Sequence, residues 1–300
     1  MIVALCELIN PQDIIKYANA KQHCSFKVGG EIEYLVCPKT LNNFCKYVSI
    51  LSANKVAYKV VGNMSNILPD DGLNKGVYIT TKYITEQPKV FGNKVNVVCG
   101  FMLPALCKIT AMNGLSGLEC LAGIPATIGG AVVNNAGAFG QSISDTLESV
   151  LVYKNGKVKT LQACQLQMGY RTSRFKHSKE IVLSATFKLS SETPAKVQQQ
   201  MLQTIQKRQS LQPQLPSAGS VFKKHQNTSA GKLIDNAKLK GATIGGAQVS
   251  TKHAGFIVNV GNATSTDVKQ LITMVKTTIK KQFNINLTRE IEFLGEINEY

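Results

Sequence analysis

Apolar residues along this 300-residue chain recur at two different spacings, and the alternation between them outlines its elements. Leu41, Phe44, Cys45 and Val48 follow Thr40 at helical spacing, so a helix with a threonine cap is expected there. Asn10 followed by Pro11 is also a helix-start signal, with Ile14, Ile15 and Ala18 on one face, and a short helix is expected to open the fold. The segments EIEYLVCP and AYKVVG read as strands on either side of the Thr40 helix. From Val77 to Leu189 the texture becomes β-rich: VYITTKYI, KVNVVCG, a hairpin turning at Asn155-Gly156, and the alternating IVLSATFKL. TPAKVQQQMLQTIQKRQ then reads as a long helix with a polar face, ending in the breaker-rich QPQLPSAGS. The last hundred residues hold GKLIDNA, the strand-like IGGAQVS and GFIVNV, and a helix from near Thr266 with Val268, Leu271, Ile272, Val275 and Ile279 in phase. A final strand is expected in LTREIEFLGE. The order of elements is that of an α+β protein, without internal repeats or low-complexity tracts.

Composition adds little except through charge. A chain that is 44% hydrophobic and 17% charged is a folded globular protein. Thirty-four basic against 18 acidic residues leave a net charge of +16, a field that favours polyanions. The basic residues are dispersed, with no run of five and few aromatic neighbours, so a dedicated nucleic-acid surface is not expected. Phosphate-rich small molecules profit from the same field. The eight cysteines include no C-x-x-C pair, which argues against a zinc ribbon or a redox dithiol, and no metal is expected. MIVALCELINPQD lacks the pattern of a signal peptide and no stretch is long enough to span a bilayer, so a cytoplasmic protein without membrane insertion is expected.

Two segments carry candidate chemistry. VVGNMSNILPDDG, residues 60–72, runs from a strand into Gly62, Asn63, Met64, Ser65 and Asn66. Such small and polar residues can aim several backbone amides at a pyrophosphate, although they also dominate ordinary surface turns. GLSGLECLAGIPATIGGAVVNNAGAFG, residues 114–140, packs seven glycines and five alanines into 27 positions. That many small side chains let backbone approach a bulky planar or phosphorylated ligand, or let two elements pack tightly. No G-x-G-x-x-G opens a helix after a strand here, so the Rossmann fingerprint is absent.

These segments, together with GYRTSRFK, PSAGSVFKKH, VSTKHAGFIVN and LTREIEFLGE in that order, resemble the UDP-N-acetylenolpyruvoylglucosamine reductase family, also called UDP-N-acetylmuramate dehydrogenase. The resemblance runs from about Phe26 to Gly295 and fits the shorter form of the family, without an inserted tyrosine-bearing loop. It implies a two-part FAD-binding module of the vanillyl-alcohol-oxidase type plus a C-terminal α+β substrate-binding domain. The expected division is residues 1–76, joined by the terminal strand 286–300, as the first FAD-binding part, 77–195 as the second and 196–285 as the substrate domain. Ala126, Met64, Thr288 and the Lys224-His225 pair depart from the family's usual residues.

By the same resemblance the cofactors are noncovalent FAD and NADPH. Gly62, Asn63, Met64, Ser65, Asn66, Gly123, Ile124, Pro125, Thr127, Gly129 and Gly130 are the expected FAD contacts. Arg171 is expected to stabilise the enediolate formed when hydride adds to the enolpyruvyl group, because a guanidinium grips both carboxylate oxygens. Ser220 is expected to donate the proton and Glu290 to orient the carboxylate or relay a proton, with Arg289 and Glu292 on the opposite face of the strand. Asn135, Tyr170, Lys223, Lys252 and His253 are the expected substrate contacts, and a monomer is expected. Two rival readings remain at this stage: a flavoprotein alcohol oxidase of the same fold, and a non-catalytic polyanion-binding protein.

Overall fold

The computed structural model describes residues 9–297, 299 and 300; Cys6 and most of the N-terminal segment read above lie outside the described residues. The first sheet is built from β1 (Ile14–Asn19), β2 (Glu31–Val36), β3 (Tyr58–Val61) and, beyond the two-residue β4 (Ile67–Leu68), β5 (Leu73–Thr80). Its order is β1-β2-β5-β3; β2, β5 and β3 run parallel and β1 is antiparallel to β2. Parallel strands need a crossover, and helix α1 (Leu41–Ala53) supplies it between β2 and β3, which flank β5. Thr40 caps α1 as the sequence suggests, accepting from Asn43 N at 3.1 Å, and Phe44, Tyr47, Val48 and Leu51 form its buried face.

The opening helix is a correction. Asn10 does cap, accepting from Gln12 N, but only a three-residue 3-10 turn, Pro11–Asp13, follows. The chain then extends at once as β1, where β-branched Ile14 and Ile15 pair with Val36 and Leu35. A local start signal is overridden here by a free sheet edge.

The second sheet is antiparallel and has five strands. It comprises β6 (Lys89–Phe91), β7 (Lys94–Val98), β8 (Leu147–Lys154), β9 (Lys157–Gln162) and β10 (Ile181–Lys188) in the order β9-β8-β10-β7-β6. Asn155 and Gly156 both have positive φ, as the tight β8–β9 hairpin requires. Between β7 and β8 lie α2 (Leu103–Met112) and the short α3 (Ile128–Val133), which packs on β10. Helix α4 (Pro194–Leu211) lies against α2 and sends Val197 and Met201 into the same core.

The C-terminal layer consists of α5 (Ala230–Asn236), a three-stranded antiparallel sheet of β11 (Thr243–Ile244), β12 (Ala247–Val249) and β13 (Ile257–Asn259), and the long α6 (Ser265–Phe283). Thr264 and Asp267 close a capping box on α6, and its buried stripe is Val268, Leu271, Ile272, Val275 and Ile279, the phase read from sequence. Its first amides also bind a side chain from the first part: Asp71 accepts from Ser265 N and Thr266 N.

Two expected boundaries move. Residue 76 lies inside β5, a strand of the first sheet, and α4 packs with the second part instead of the substrate domain. The final strand is also shorter than expected: Arg289 makes an isolated antiparallel bridge to Phe222, and β14 (Glu292–Phe293) pairs in parallel with β4 before a 3-10 turn at Leu294–Glu296.

Candidate active site

A cavity of about 580 Å³ opens where the three parts meet. One wall is the loop after β3, which contributes Gly62, Asn63, Met64, Ser65 and Asn66. Met64 adopts a left-handed φ of 47°, and its side chain is buried. The facing wall is the glycine-rich run into α3, with Ile124, Pro125, Thr127, Gly129 and Gly130. Asn63 spans the two, donating its Nδ2 to Pro125 O at 2.8 Å. The close approach depends on glycine: a Cβ at Gly62 would sit 2.3 Å from Thr127 Oγ1, and one at Gly129 would sit 3.1 Å from Cys99 Cβ. Gly123 is the one expected cofactor residue away from the cavity wall; its positive φ of 88° shapes the turn before it, beside the Arg208 side chain.

These walls fit a flavin dinucleotide. Two buried acceptors on them, Thr127 Oγ1 and Asn134 Oδ1, have no hydrogen-bond partner among the described residues. An unpartnered buried polar atom costs about 1–3 kcal/mol, so such atoms mark where a polar ligand belongs. Gly62 to Asn66 and Thr127 to Gly130 would hold the cofactor.

The same cavity also gathers Arg171, Ser220, Glu290 and His253, residues far apart in the chain. Arg171 sits in a tight turn with φ of 55°; its Nε donates to Glu290 Oε1 and its Nη2 to Gly137 O, each at 2.7 Å. Ser220 follows Gly219, whose φ is 78°, and its strand-like segment is pinned on both sides: Val221 N donates to Gly255 O and Glu290 N donates to Val221 O, each at 2.8 Å. The Ser220 hydroxyl donates a long, weak hydrogen bond to Phe222 O at 3.5 Å. Burial raises the Glu290 carboxyl above its ordinary value, against the opposing pull of Arg171, Lys223 and Lys176. Burial lowers the His253 imidazole, aided by Lys240, so the ring is held towards neutral.

Glu290 is also tied to the cofactor wall. Asn66 Nδ2 donates to Glu290 O at 3.2 Å, and Glu292 N donates to Asn66 O at 2.9 Å. Glu292 lines the cavity along with Glu290, so the expectation that it points to the opposite face is corrected; residues two apart share a face, and the pairing of β14 with β4 keeps it there. Arg289 pairs with Glu296 and lines the neighbouring cavity.

Four expected substrate contacts lie outside this cavity. Lys223 lines a neighbouring basic cavity that shares Glu290 as a wall. Tyr170 is half-exposed, its ring between the Arg171 guanidinium and Lys224 Nζ. Lys252 Nζ donates to Gln209 O at 2.6 Å, at the C-terminal end of α4. Asn135 is buried, its amide bound to Ser144 and to Gly169 O.

The sequence reading passed over Arg208. Its Nη1 is buried without a hydrogen-bond partner among the described residues, and burial together with the nearby Arg171 lowers its pKa. Two guanidiniums on one cavity wall make a strong anion site. The signal was present: Val197, Met201, Ile205 and Arg208 recur at helical spacing, so the arginine continues the inward stripe of α4. Phe139 was also passed over; it stands at the rim with φ of 52°, under Lys207 Nζ.

Comparison with known proteins supplies the family context. A model described as UDP-N-acetylenolpyruvoylglucosamine reductase, C-terminal domain, matches residues 212–294, and one described as FAD binding domain matches residues 32–162. The UDP-N-acetylenolpyruvoylglucosamine reductase of Clostridium botulinum strain Hall is 38% identical over 294 residues, covering 97% of this chain and 96% of its own. That of Clostridium tetani is 36% identical, covering 97% and 95%. The crystal structure of the Thermus caldophilus enzyme superposes with a TM-score of 0.78 at 32% identity, covering 93% of this chain and 97% of that one.

Proposed function

The chain belongs to the UDP-N-acetylenolpyruvoylglucosamine reductase family, and from that premise we propose that Arg171, Ser220 and Glu290 perform its chemistry in the cavity where the three parts meet. The enzyme uses NADPH and FAD to reduce the enolpyruvyl ether of UDP-N-acetylenolpyruvoylglucosamine, giving UDP-N-acetylmuramate for peptidoglycan synthesis. The fold is the two-part FAD-binding module of the vanillyl-alcohol-oxidase type with a C-terminal substrate domain.

FAD, when bound, supplies the relay that carries hydride from NADPH to the methylene carbon of the substrate. The protein's own task is to manage charge. As the double bond is reduced, negative charge moves into the substrate carboxylate, and Arg171 meets it with the guanidinium edge not used on Glu290 and Gly137. Arg208 adds a second fixed cation, suited to the carboxylate or to the substrate's phosphates. Ser220 donates its proton to the carbon bearing the carboxylate; a serine is a weak acid, so the carbanionic centre must be the strong base. Glu290 holds Arg171 in line through the ion pair at 2.7 Å, while burial raises its carboxyl above the ordinary value.

The observation that carries this assignment is the meeting of Arg171, Ser220 and Glu290, from three separate segments, in one cavity. Among the described residues no helix is long and apolar enough to cross a membrane, and the use of NADPH and a UDP-sugar supports a cytoplasmic setting. The test is NADPH consumption by the purified flavoprotein with and without the enolpyruvyl UDP-sugar. Consumption that depends on the sugar, with one NADPH per product, supports the reading; consumption that depends only on dioxygen favours the oxidase alternative.

A further inference from the structure

Arg171 is held in an unfavourable place. Its φ of 55° is left-handed, a region that side chains with a Cβ rarely adopt. Arginine also has many rotamers, so aiming it depends on fixing the turn that carries it. That turn closes on itself, Gly169 N donating to Thr172 O and Thr172 N to Gly169 O, but a two-residue turn on a surface loop does not fix its own position.

The anchor is the stretch that follows α3. Asn135 Nδ2 donates to Gly169 O at 2.9 Å, just before the turn, and Ser173 Oγ donates to Val133 O at 2.7 Å, just after it. Arg171 Nη2 reaches Gly137 O in the same stretch, so residues 133–137 hold the turn at its entry, its tip and its exit. Asn135 has no amide donor left for a ligand: its Nδ2 also donates to Ser144 Oγ at 3.2 Å, its Oδ1 accepts from Ser144 N at 3.0 Å, and only 5% of the residue is exposed. It too has a left-handed φ, 42°, a region asparagine tolerates better than most residues.

We propose that Asn135 is a positioning residue for Arg171, acting through the Gly169 carbonyl, and not a substrate ligand. Because α3 begins at the cofactor wall, the clamp fixes the Arg171 guanidinium relative to that wall. The inference rests on the assignment of Arg171 made above.

The test uses Asn135→Gly, which keeps the positive φ and deletes the bridge, and the isosteric Asn135→Asp, which replaces the donor to Gly169 O by an oxygen. The aspartate variant carries the test should the glycine variant fold poorly. Flavin content and reduction by NADPH should stay within about twofold of the parent, while reoxidation by saturating UDP-sugar slows about tenfold, the loss expected when one net hydrogen bond stops aiming a catalytic group. A merely structural role would lower both half-reactions. In the double variants with Arg171→Lys, reoxidation should be little slower than in Arg171→Lys alone, because both changes remove the same alignment. Effects that multiply, or parental reoxidation at saturating sugar with weakened sugar binding, overturn the proposal and make Asn135 an independent contact. Parental reoxidation in Arg171→Lys alone overturns the Arg171 assignment and this proposal with it.

Discussion

Replacing Arg171 by lysine keeps the positive charge and removes the fork, so it isolates what the guanidinium geometry contributes. In the structure two of its N–H groups are committed, Nε to Glu290 Oε1 and Nη2 to Gly137 O, each at 2.7 Å, and the remaining edge is what can grip a carboxylate. A lysine ammonium is a single point that cannot keep both anchors and still present a two-pronged donor to the substrate. At least one charge-assisted hydrogen bond is therefore lost in the transition state, worth about 1.5–3 kcal/mol. At about 1.4 kcal/mol per decade, that slows the step roughly 10- to 150-fold. The assay is stopped-flow observation of the two half-reactions: reduction by NADPH should remain within about twofold of the parent, and reoxidation by the UDP-sugar should fall by the factor above. If the lysine variant reoxidises as fast as the parent, Arg171 does not stabilise the developing carboxylate charge. Equal slowing of both half-reactions would instead mean that the substitution disturbs the cavity as a whole.

Two further outcomes follow from the geometry. Gly62→Ala places a methyl group 2.3 Å from Thr127 Oγ1, so the hydroxyl must swing towards the cofactor space; the flavin that copurifies should drop about tenfold or more, consistent with overpacking costs of about 1–3 kcal/mol, and undiminished flavin would contradict the cofactor wall assigned here. Glu290 has a folded-state pKa raised chiefly by burial, so its contribution to stability is present below the ordinary glutamate value and lost as pH rises through the raised one. Glu290→Gln removes that ionisation, so the melting temperature of the variant minus that of the parent should climb from about pH 4 towards neutrality, and a difference that stays flat over that window would refute the assignment of the raised pKa.

Periodicity made the helices and most strands legible because each is decided by its own buried face. The stripe of α6 from Val268 to Ile279 and the Thr40 cap of α1 are local signals that tertiary structure had no reason to overrule. The opening segment fails for the opposite reason: the Asn10-Pro11 signal is real, but the edge of β2 offers Ile14 and Ile15 a ladder that a short isolated helix cannot match. The boundary at residue 76 was invisible because β5 looks like the strands that follow it, and only its partners β2 and β3 assign it to the first sheet.

The candidate site was legible through motifs, and its geometry was not. The glycine-rich walls and the trio Arg171, Ser220 and Glu290 could be named from the sequence, but nothing local says that Asn135 has spent its amide on the Arg171 turn, or that Lys252 has reached across to Gln209 O. Those outcomes depend on contacts between residues 34 and 43 positions apart. Arg208 was readable in principle, as the next inward position after Val197, Met201 and Ile205, but an arginine in a polar helix reads first as a solvated one.

The account as a whole stands on Ser220 supplying the proton that ends the reaction in a cavity where Arg171 holds the charge. The most direct test is single-turnover reoxidation of the NADPH-reduced enzyme by the enolpyruvyl UDP-sugar in the parent, Ser220→Ala and Ser220→Cys, followed by flavin absorbance. The account predicts near-parental reduction in all three, reoxidation slower by about a hundredfold or more in the alanine variant, and partial recovery in the cysteine variant, whose thiol keeps a dissociable proton at nearly the same place. Equal reoxidation rates in the parent and Ser220→Ala would contradict it and place the proton donor elsewhere, with Glu290 the next group in the cavity.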